Sequence, residues 1–428
     1  MNIRTRQILG YFGVIPFIFL SFYPLFLNFP EGYVFNLLLS FYGGVILSFL
    51  GGRTWGWEGE ADNNLPLIVG ILVSLTGFLI IALSNMFLYY SLCLSLLTFI
   101  LFYLFELRVS EKMKHMEYRN LKNTDLKLPI ITLGALNFGF FCDEDRSINT
   151  IKAAIDNGVN CIDTAPTYGG MKGKSEVITG KAIKGIRDKV ILATKFGTDP
   201  ATGRNSIKGG GTKKYIVEAV ENSLKSLDTD YIDLYQMHFP DAETPIEETL
   251  RTLEDLIQSG KVRYIGASNF NADQMSDSVT VSIKNNFNQF VSIQSRYSML
   301  TRYLEEDLLP VCEENNVSVL PYFPLESGFL TGKIKRGMDP EKGTRLALWK
   351  GAFTSEEWFN LIDEVEKYGE EINRSLLEIS LAWVAKRKMV ASVLVGATSA
   401  EQMIQNIEAI SWTMSDEEMK KIDEIILG

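Results

Sequence analysis

The sequence predicts an α/β protein, a (β/α)8 TIM barrel preceded by a four-helix transmembrane domain. Three observations lead to this prediction. The first part of the chain is mostly apolar and aromatic, the rest alternates strand-like and helix-like patterns, and no Gly-x-Gly-x-x-Gly follows the first strand of that rest. With 428 residues the chain exceeds one ordinary domain. We expect a transmembrane domain at 1–109, a linker at 110–116 and the barrel at 117–428.

Four apolar stretches, at about 7–27, 33–52, 65–84 and 87–105, are each close to the roughly 20 residues that cross a hydrocarbon core. Four in succession exclude a cleaved signal peptide, and they lack the amphipathic stripes of a soluble helical bundle. Arg4 and Arg6 precede the first stretch and Arg108 and Lys112 follow the fourth. Because basic residues near span ends stay in the cytoplasm, we expect a multi-pass integral membrane protein with its N-terminus and its barrel on the cytoplasmic side of the bilayer.

Small residues recur every four positions along the second span: Gly32, Asn36, Ser40, Gly44, Ser48, Gly52 and Gly56. Small residues let helices approach closely in lipid. Packing among the four helices explains this stripe, and self-association through the second span or a ligand groove is the alternative. The segment GGVILSFLGGRTWGW at 43–57 resembles a family of small, uncharacterised multi-spanning membrane proteins, a likeness that implies no activity.

Charge and composition exclude several classes of function. The net charge of −10 leaves no basic stripe to neutralise phosphates, so nucleic acid is not expected as a partner. Four cysteines are scattered without metal-ligand or disulfide spacing, and two histidines are too few for a histidine-based metal site. We therefore expect no metal.

Beyond residue 116, a short hairpin is predicted in EYRNLKNTDLKLP, followed by eight apolar, β-rich runs that alternate with helical patterns. This alternation favours a closed barrel over an open sheet, and in such barrels chemistry lies at the carboxyl ends of the strands. The predicted strands are ITLG (131–134), NCIDTA (160–165), VILATK (190–195), YIDLYQMH (231–238), VRYIGASNF (262–270), FVSIQ (290–294), VSVLPYF (317–323) and SVLVGA (392–397). Helices are predicted at 146–157, 175–184, 213–227, 245–259, 304–315, 375–387 and 399–409.

Four ionisable side chains fall at or just after the ends of consecutive strands: Asp163 and Tyr168, then Lys195, then His238. Each alone has an ordinary structural explanation, such as a turn residue or a core histidine, but the set at one mouth indicates a catalytic site. A buried Lys195 ammonium would lower the tyrosine's ordinary pKa of about 10, and Asp163 would keep the lysine charged. Tyr168 then becomes a general acid, His238 polarises a substrate carbonyl, and the attacking group is a hydride.

At these residues the chain from 116 to 428 is identified as resembling the aldo-keto reductase family. The matching strings are MEYRNLKNTDLKLP, DTAPTYGG, SEVITGKAI, VILATKFG, YIDLYQMHFPD, LIQSGKVRYIGASNF, YFPLESGFLTGK and GATSAEQMIQN. The resemblance implies that the catalytic tetrad is Asp163, Tyr168, Lys195 and His238, that the cofactor is NADP(H), and that the substrate is a small carbonyl compound.

The resemblance also implies the cofactor contacts. Ser268, Asn269 and Gln294 would hold the carboxamide, and the Tyr322 ring would stack on the nicotinamide. The remaining contacts implied are Ala135, Asp163, Phe323, Leu325, Lys333, Arg345, Gly396, Thr398, Gln402, Gln405 and Asn406.

Two departures from the family pattern bear on the cofactor. Phe323 replaces a serine near the diphosphate, and Gln402 replaces a basic residue in the adenosine loop, as in the branch that includes potassium-channel β subunits. NADPH in preference to NADH then depends on Lys333 and Arg345. Two functions stay open: a membrane-tethered carbonyl reductase with Tyr168 as its acid, and a cofactor-sensing regulatory subunit with little turnover.

Overall fold

The computed structural model describes residues 116–170, 173–199, 207–339, 345–348 and 355–427. Within these ranges no helix combines the length and the apolar character that crossing a membrane requires. The four predicted spans, the small-residue stripe and the predicted linker up to His115 all lie outside the described residues.

A two-stranded antiparallel hairpin opens the described chain, with β1 at Tyr118–Asn120 and β2 at Lys127–Pro129. Its apolar side chains Leu121, Leu126 and Leu128 are buried against residues near the amino ends of the barrel strands, among them Cys161 and Leu394. The backbone N–H of Lys122 also donates to Ser318 Oγ at 2.9 Å. The hairpin therefore closes the end of the barrel opposite to the carboxyl ends of the strands.

Eight parallel strands follow, each at a position where the sequence predicts one. They are β3 Ile131–Gly134, β4 Cys161–Asp163, β5 Ile191–Phe196, β6 Ile232–Met237, β7 Val262–Ser268, β8 Ser292–Arg296, β9 Ser318–Tyr322 and β10 Val393–Gly396. The strands lie in the order β10-β3-β4-β5-β6-β7-β8-β9, and a parallel bridge between Val319 and Val390 brings the two ends of the sheet together in a barrel-like arrangement.

Helices cover the outside of this sheet, and the core between the two layers consists of apolar side chains from both. In the described chain the helices are α1 Glu144–Asp156, α2 Lys174–Ile183, α3 Lys213–Leu227, α4 Ile246–Gln258, α5 Ala272–Asn285, α6 Leu308–Glu314, α7 Arg345–Leu348, α8 Glu356–Glu371, α9 Leu376–Ala385, α10 Ala400–Ile410 and α11 Asp416–Leu427.

Four of these helices, α5, α7, α8 and α11, lie where no helix is predicted, and α6 is shorter than predicted. The predicted helix at 304–315 is divided into a 3-10 turn at Tyr303–Glu305 and α6. Pro310 explains the division, because a proline has no N–H to donate and is tolerated only within the first turn of a helix. The α-helix therefore begins at Leu308.

Candidate active site

The strand register brings the predicted catalytic residues to the carboxyl end of the barrel. Asp163 ends β4 beside Ala193, Lys195 lies on β5 beside Gln236 of β6, and Ser268 ends β7 beside Gln294 of β8. Alternate residues of a strand face the same side of a sheet, so Ala193 and Lys195 share the side that faces the barrel interior.

Asp163 and Lys195 form a buried ion pair in which Nζ of Lys195 donates to Oδ2 of Asp163 at 2.5 Å. The Lys195 side chain is 0% exposed and that of Asp163 is 4% exposed. Burial alone would lower the pKa of Lys195, but the attraction of Asp163, followed by that of Tyr168, outweighs it and raises the pKa above its ordinary value. Lys195 is therefore a charged ammonium at neutral pH.

Tyr168 lies beside this ammonium. Its hydroxyl accepts a hydrogen bond from Lys195 Nζ at 3.3 Å, and the third ammonium proton goes to the Thr164 carbonyl at 3.0 Å. Gly169 (φ +81°) fixes the turn, since a Cβ at this position would lie 2.3 Å from the carbonyl oxygen of Phe138. The local backbone thus admits only glycine next to the tyrosine.

His238 follows β6, and its ring meets that of Tyr168 edge to face with centroids 5.9 Å apart. Burial, and secondly the charge of Lys195, lower the pKa of His238 well below its ordinary value, so the imidazole is neutral at pH 7. Its Nδ1 atom is buried and has no hydrogen-bond partner among the described residues. The four predicted catalytic residues thus lie together.

Sequence analysis missed Gln236, which belongs to the same cluster. Its Nε2 donates to Oδ1 of Asp163 at 2.9 Å, and its side chain is fully buried. The signal was present in the sequence, because a polar residue two positions before His238 on one strand faces the same side as His238.

The residues predicted to hold a carboxamide also lie close together. Asn269, which adopts a left-handed φ of +59°, donates from Nδ2 to the His238 carbonyl at 2.9 Å. Its Oδ1 accepts from the Tyr322 hydroxyl at 2.7 Å, and Ser268 Oγ donates to the Gln294 carbonyl at 2.9 Å. Nε2 of Gln294 donates to Asp163 Oδ1 at 2.9 Å.

The residues expected near the diphosphate occupy the turn after β9. Phe323 has a left-handed φ of +55°, Leu325 is buried, and Lys333 is exposed. Glu326, which sequence analysis also missed, is fully buried and bound by Arg296 and by Ser298 Oγ, so it fixes this turn. Ala135 follows the end of β3, and its carbonyl accepts from Ser175 Oγ. The Arg345 side chain lies outside what the structure describes.

The residues expected around an adenosine follow β10. Gln402 turns back on its own loop, where its Oε1 accepts from the backbone N–H and the hydroxyl of Thr398 at 2.6 and 3.0 Å. Asn406 is buried and Gln405 is exposed on α10. Gly396 ends β10.

One structural observation indicates that these residues could bind a dinucleotide. Ser327, two residues after Leu325, has a left-handed φ of +60°, and its hydroxyl is buried without a partner among the described residues. A buried hydroxyl needs a hydrogen-bond partner, which a bound phosphate would supply.

A parallel eight-stranded sheet that gathers a tyrosine, a charged buried lysine and a neutral histidine at the carboxyl ends of its strands defines a barrel protein with a candidate active site at its mouth. Residues 130–427 match the Aldo/keto reductase family, and the chain belongs to that family. It is an oxidoreductase that acts on carbonyl groups with NAD(P)H. Residues 3–124 match a second family, described as a protein of unknown function (DUF3429), so the chain is a fusion of the two.

Curated relatives from bacteria and fission yeast match the reductase region. The chain is 37% identical to aldo-keto reductase YhdN of Bacillus subtilis (strain 168), over 73% of this chain and 94% of that protein. It is 36% identical to an NADH-specific methylglyoxal reductase of Escherichia coli (strain K12), over 69% and 94%. It is 33% identical to a putative voltage-gated potassium channel subunit beta of Schizosaccharomyces pombe, over 73% and 94%.

Proposed function

We propose that the chain is a membrane-tethered NADPH-dependent reductase of aldehydes or ketones in which Tyr168 is the general acid. The observation that carries the proposal is the position of the Tyr168 hydroxyl, 3.3 Å from a lysine ammonium that a buried aspartate keeps charged. When bound, NADPH supplies the hydride.

Tyr168 releases its proton to the oxygen that was the substrate's carbonyl. The phenolate left behind lies next to the Lys195 ammonium, and opposite charges at this distance attract strongly where water is excluded. That attraction lowers the cost of ionising the phenol and makes Tyr168 a stronger acid than a tyrosine in water.

His238 contributes as a neutral group. A neutral imidazole carries one N–H, which it can donate to the same substrate oxygen, whereas an imidazolium would compete with Tyr168 as the proton donor and repel Lys195. The lowered pKa of His238 keeps it in this form. Two donors then converge on one oxygen, which orients the carbonyl and stabilises negative charge there.

The cofactor contacts proposed are those inferred from the sequence, with Ser268, Asn269 and Gln294 on the carboxamide and Tyr322 against the ring. The preference for NADPH depends on Lys333 and Arg345. Because the Escherichia coli relative is named as NADH-specific, both cofactors belong in the test.

The bilayer is the second partner. The four apolar stretches before residue 110 support the proposal that the reductase is anchored to the membrane with its N-terminus and barrel on the cytoplasmic side. The second span supports self-association of the anchor through its small residues. Cysteine accessibility labelling on the two sides of sealed vesicles tests the topology.

The activity is tested by incubating the purified full-length chain with NADPH or NADH and a panel of aldehydes and ketones. We expect cofactor oxidation matched by alcohol formation, with Tyr168→Phe as the inactive control. Cofactor binding without oxidation by any carbonyl would contradict a reductase.

That contradictory outcome would favour a second function, a cofactor-sensing regulatory subunit of a membrane protein. The likeness to the Schizosaccharomyces pombe protein supports this alternative. A sensor would bind NADPH tightly and release it slowly, and its rate of oxidation would be the same in Tyr168→Phe as in the wild type.

A further inference from the structure

The Asp163 carboxylate is held by two glutamines in addition to Lys195. Nε2 of Gln236 and Nε2 of Gln294 each donate to Oδ1 at 2.9 Å, while Lys195 occupies Oδ2. Gln294 Nε2 also reaches Oε1 of Gln236 at 3.2 Å, so the two amides are linked. Both glutamines are buried, at 0% and 2% exposure.

Gln294 has two hydrogen-bonding roles, one in the structure and one expected with the cofactor. It donates to Asp163 here, and it is also the residue expected to hold the cofactor's carboxamide. A side-chain amide has two N–H donors, and those of Gln294 are directed at Asp163 and Gln236. Donating to the carboxamide oxygen of the cofactor therefore requires Gln294 to give up at least one of these bonds.

We propose that Gln236 is a positioning residue that holds the Asp163 carboxylate against Lys195 and remains its amide donor when Gln294 turns to the cofactor. The inference rests on the proposed function, because it concerns the ion pair that supports Tyr168. Gln236 acts through Asp163, to which its Nε2 donates.

A glycine on the neighbouring strand leaves space for the Gln236 side chain. Gly266 of β7 is its partner across the sheet, and a Cβ at Gly266 would lie 3.2 Å from Gln236 Cγ and 2.7 Å from Ser292 Oγ. A larger residue would push the glutamine away from Asp163. The glycine thus lets the amide lie across the barrel interior.

A neutral donor suits the position because of the charges already present. Lys195 faces Asp163 and Tyr168, Cys161 lies near Asp163 on the same strand, and His238 and Glu176 lie within electrostatic reach of Lys195. A second cation beside Asp163 would compete with Lys195, and a second anion would repel Asp163. An amide stabilises the carboxylate and adds no charge.

The test compares Gln236→Met with the wild type in the full-length chain. Losing one of the two amide donors loosens the Asp163 carboxylate beside Lys195, so we expect kcat to fall about tenfold while the KM for the carbonyl stays within a few-fold. Cofactor affinity is the second readout. Fluorescence titration should give a Kd for NAD(P)H raised about tenfold, because Gln294 can then leave Asp163 only at the cost of its last amide donor.

Gln236→Glu keeps the size and shape of the side chain, and it tests the same inference if Gln236→Met does not fold. When protonated, the carboxyl that this substitution introduces can donate to Asp163 as the amide does, whereas the ionised carboxylate repels Asp163. Turnover should therefore approach that of the wild type at low pH and fall as pH rises. The matched control is Tyr235→Phe, which removes a hydroxyl without a partner among the described residues from the neighbouring position of β6.

An unchanged kcat and an unchanged Kd in Gln236→Met would overturn the inference, as would an equal loss of activity at every pH in Gln236→Glu. The proposed function fails separately. If Tyr168→Phe turns over normally, Tyr168 is not the acid, whatever the Gln236 variants show. If Tyr168→Phe is inactive and both Gln236 variants have the kcat and Kd of the wild type, only the positioning role is rejected.

Discussion

Lys195 donates from Nζ to Oδ2 of Asp163 at 2.5 Å, and both side chains are almost completely excluded from solvent. The cost of removing two charges from water is offset only while both are present, with their remaining hydrogen-bonding groups satisfied. The ammonium meets that condition through Asp163, Tyr168 and the Thr164 carbonyl. The ion pair links the stability of the barrel to its chemistry.

The pair predicts a specific pattern of stabilities. Lys195→Met or Asp163→Leu alone leaves an uncompensated buried charge, so each should lower the free energy of unfolding by ~3–5 kcal/mol. The double variant leaves no charge and should lose less than either single variant. Thermal and chemical denaturation of the three variants would measure this. Additive losses would mean that the two charges do not stabilise one another.

His238 predicts a pH dependence of stability. Its pKa is lowered by folding, so below the unfolded value of about 6.5 the unfolded chain binds more protons than the folded one. Stability is therefore lost as pH falls below about 6.5, by at most ~1.4 kcal/mol per unit, down to the folded pKa. His238→Gln should lack this component. His115→Gln, at the other histidine of the chain, is the matched control, and an identical pH profile in wild type and His238→Gln would refute the assignment.

Leu128 predicts that the hairpin matters for stability and not for chemistry. It is 1% exposed and packs under the barrel. Leu128→Ala should cost ~2–5 kcal/mol through lost burial and a cavity, while kcat per folded molecule stays unchanged because the site is at the opposite end. The exposed neighbour Lys127→Ala should change neither stability nor kcat. A fall in kcat of folded Leu128→Ala protein would show that the two ends are coupled.

Tyr322 predicts graded effects on cofactor binding. Tyr322→Phe keeps the ring and removes the hydrogen bond to Asn269, so the Kd for NAD(P)H should rise a few-fold, in line with ~0.5–1.5 kcal/mol for one such bond. Tyr322→Leu also removes the ring and should weaken binding further. Isothermal titration would rank the variants. Equal affinities of Tyr322→Phe and Tyr322→Leu for NAD(P)H would show that the Tyr322 ring does not contribute to cofactor binding.

The strands were predictable because each is an apolar, β-rich run between polar turns, and all eight occur where the sequence places them. Helix α5 was not, since its sequence ADQMSDSVTVSIKN is rich in residues of low helix propensity. It is stabilised at its start by a reciprocal capping box between Asn271 and Gln274. Packing against the barrel decides its conformation, which sequence pattern alone does not report.

The candidate site was predictable where chemistry and strand ends coincide, as for Asp163, Tyr168, Lys195 and His238. The long-range contacts among the site residues were not predictable, although Gln294 itself was predicted and a signal for Gln236 was present. Gln236 and Gln294 lie 73 and 131 positions after Asp163, and only the closed sheet reveals that both amides meet one carboxylate oxygen. Glu326 was likewise hidden, because its partners Arg296 and Ser298 precede it by about one strand and helix.

The central claim is that Tyr168 gives up the proton, and Tyr168→Phe tests it most directly under single-turnover conditions. The substitution keeps the ring that meets His238 and removes only the hydroxyl that Lys195 contacts. With NADPH prebound and an aldehyde that the wild type reduces, we predict unchanged cofactor affinity and a rate of carbonyl reduction lower by about 10²- to 10⁴-fold. A rate within a few-fold of the wild type, with cofactor still bound, would contradict the assignment of Tyr168 as the acid.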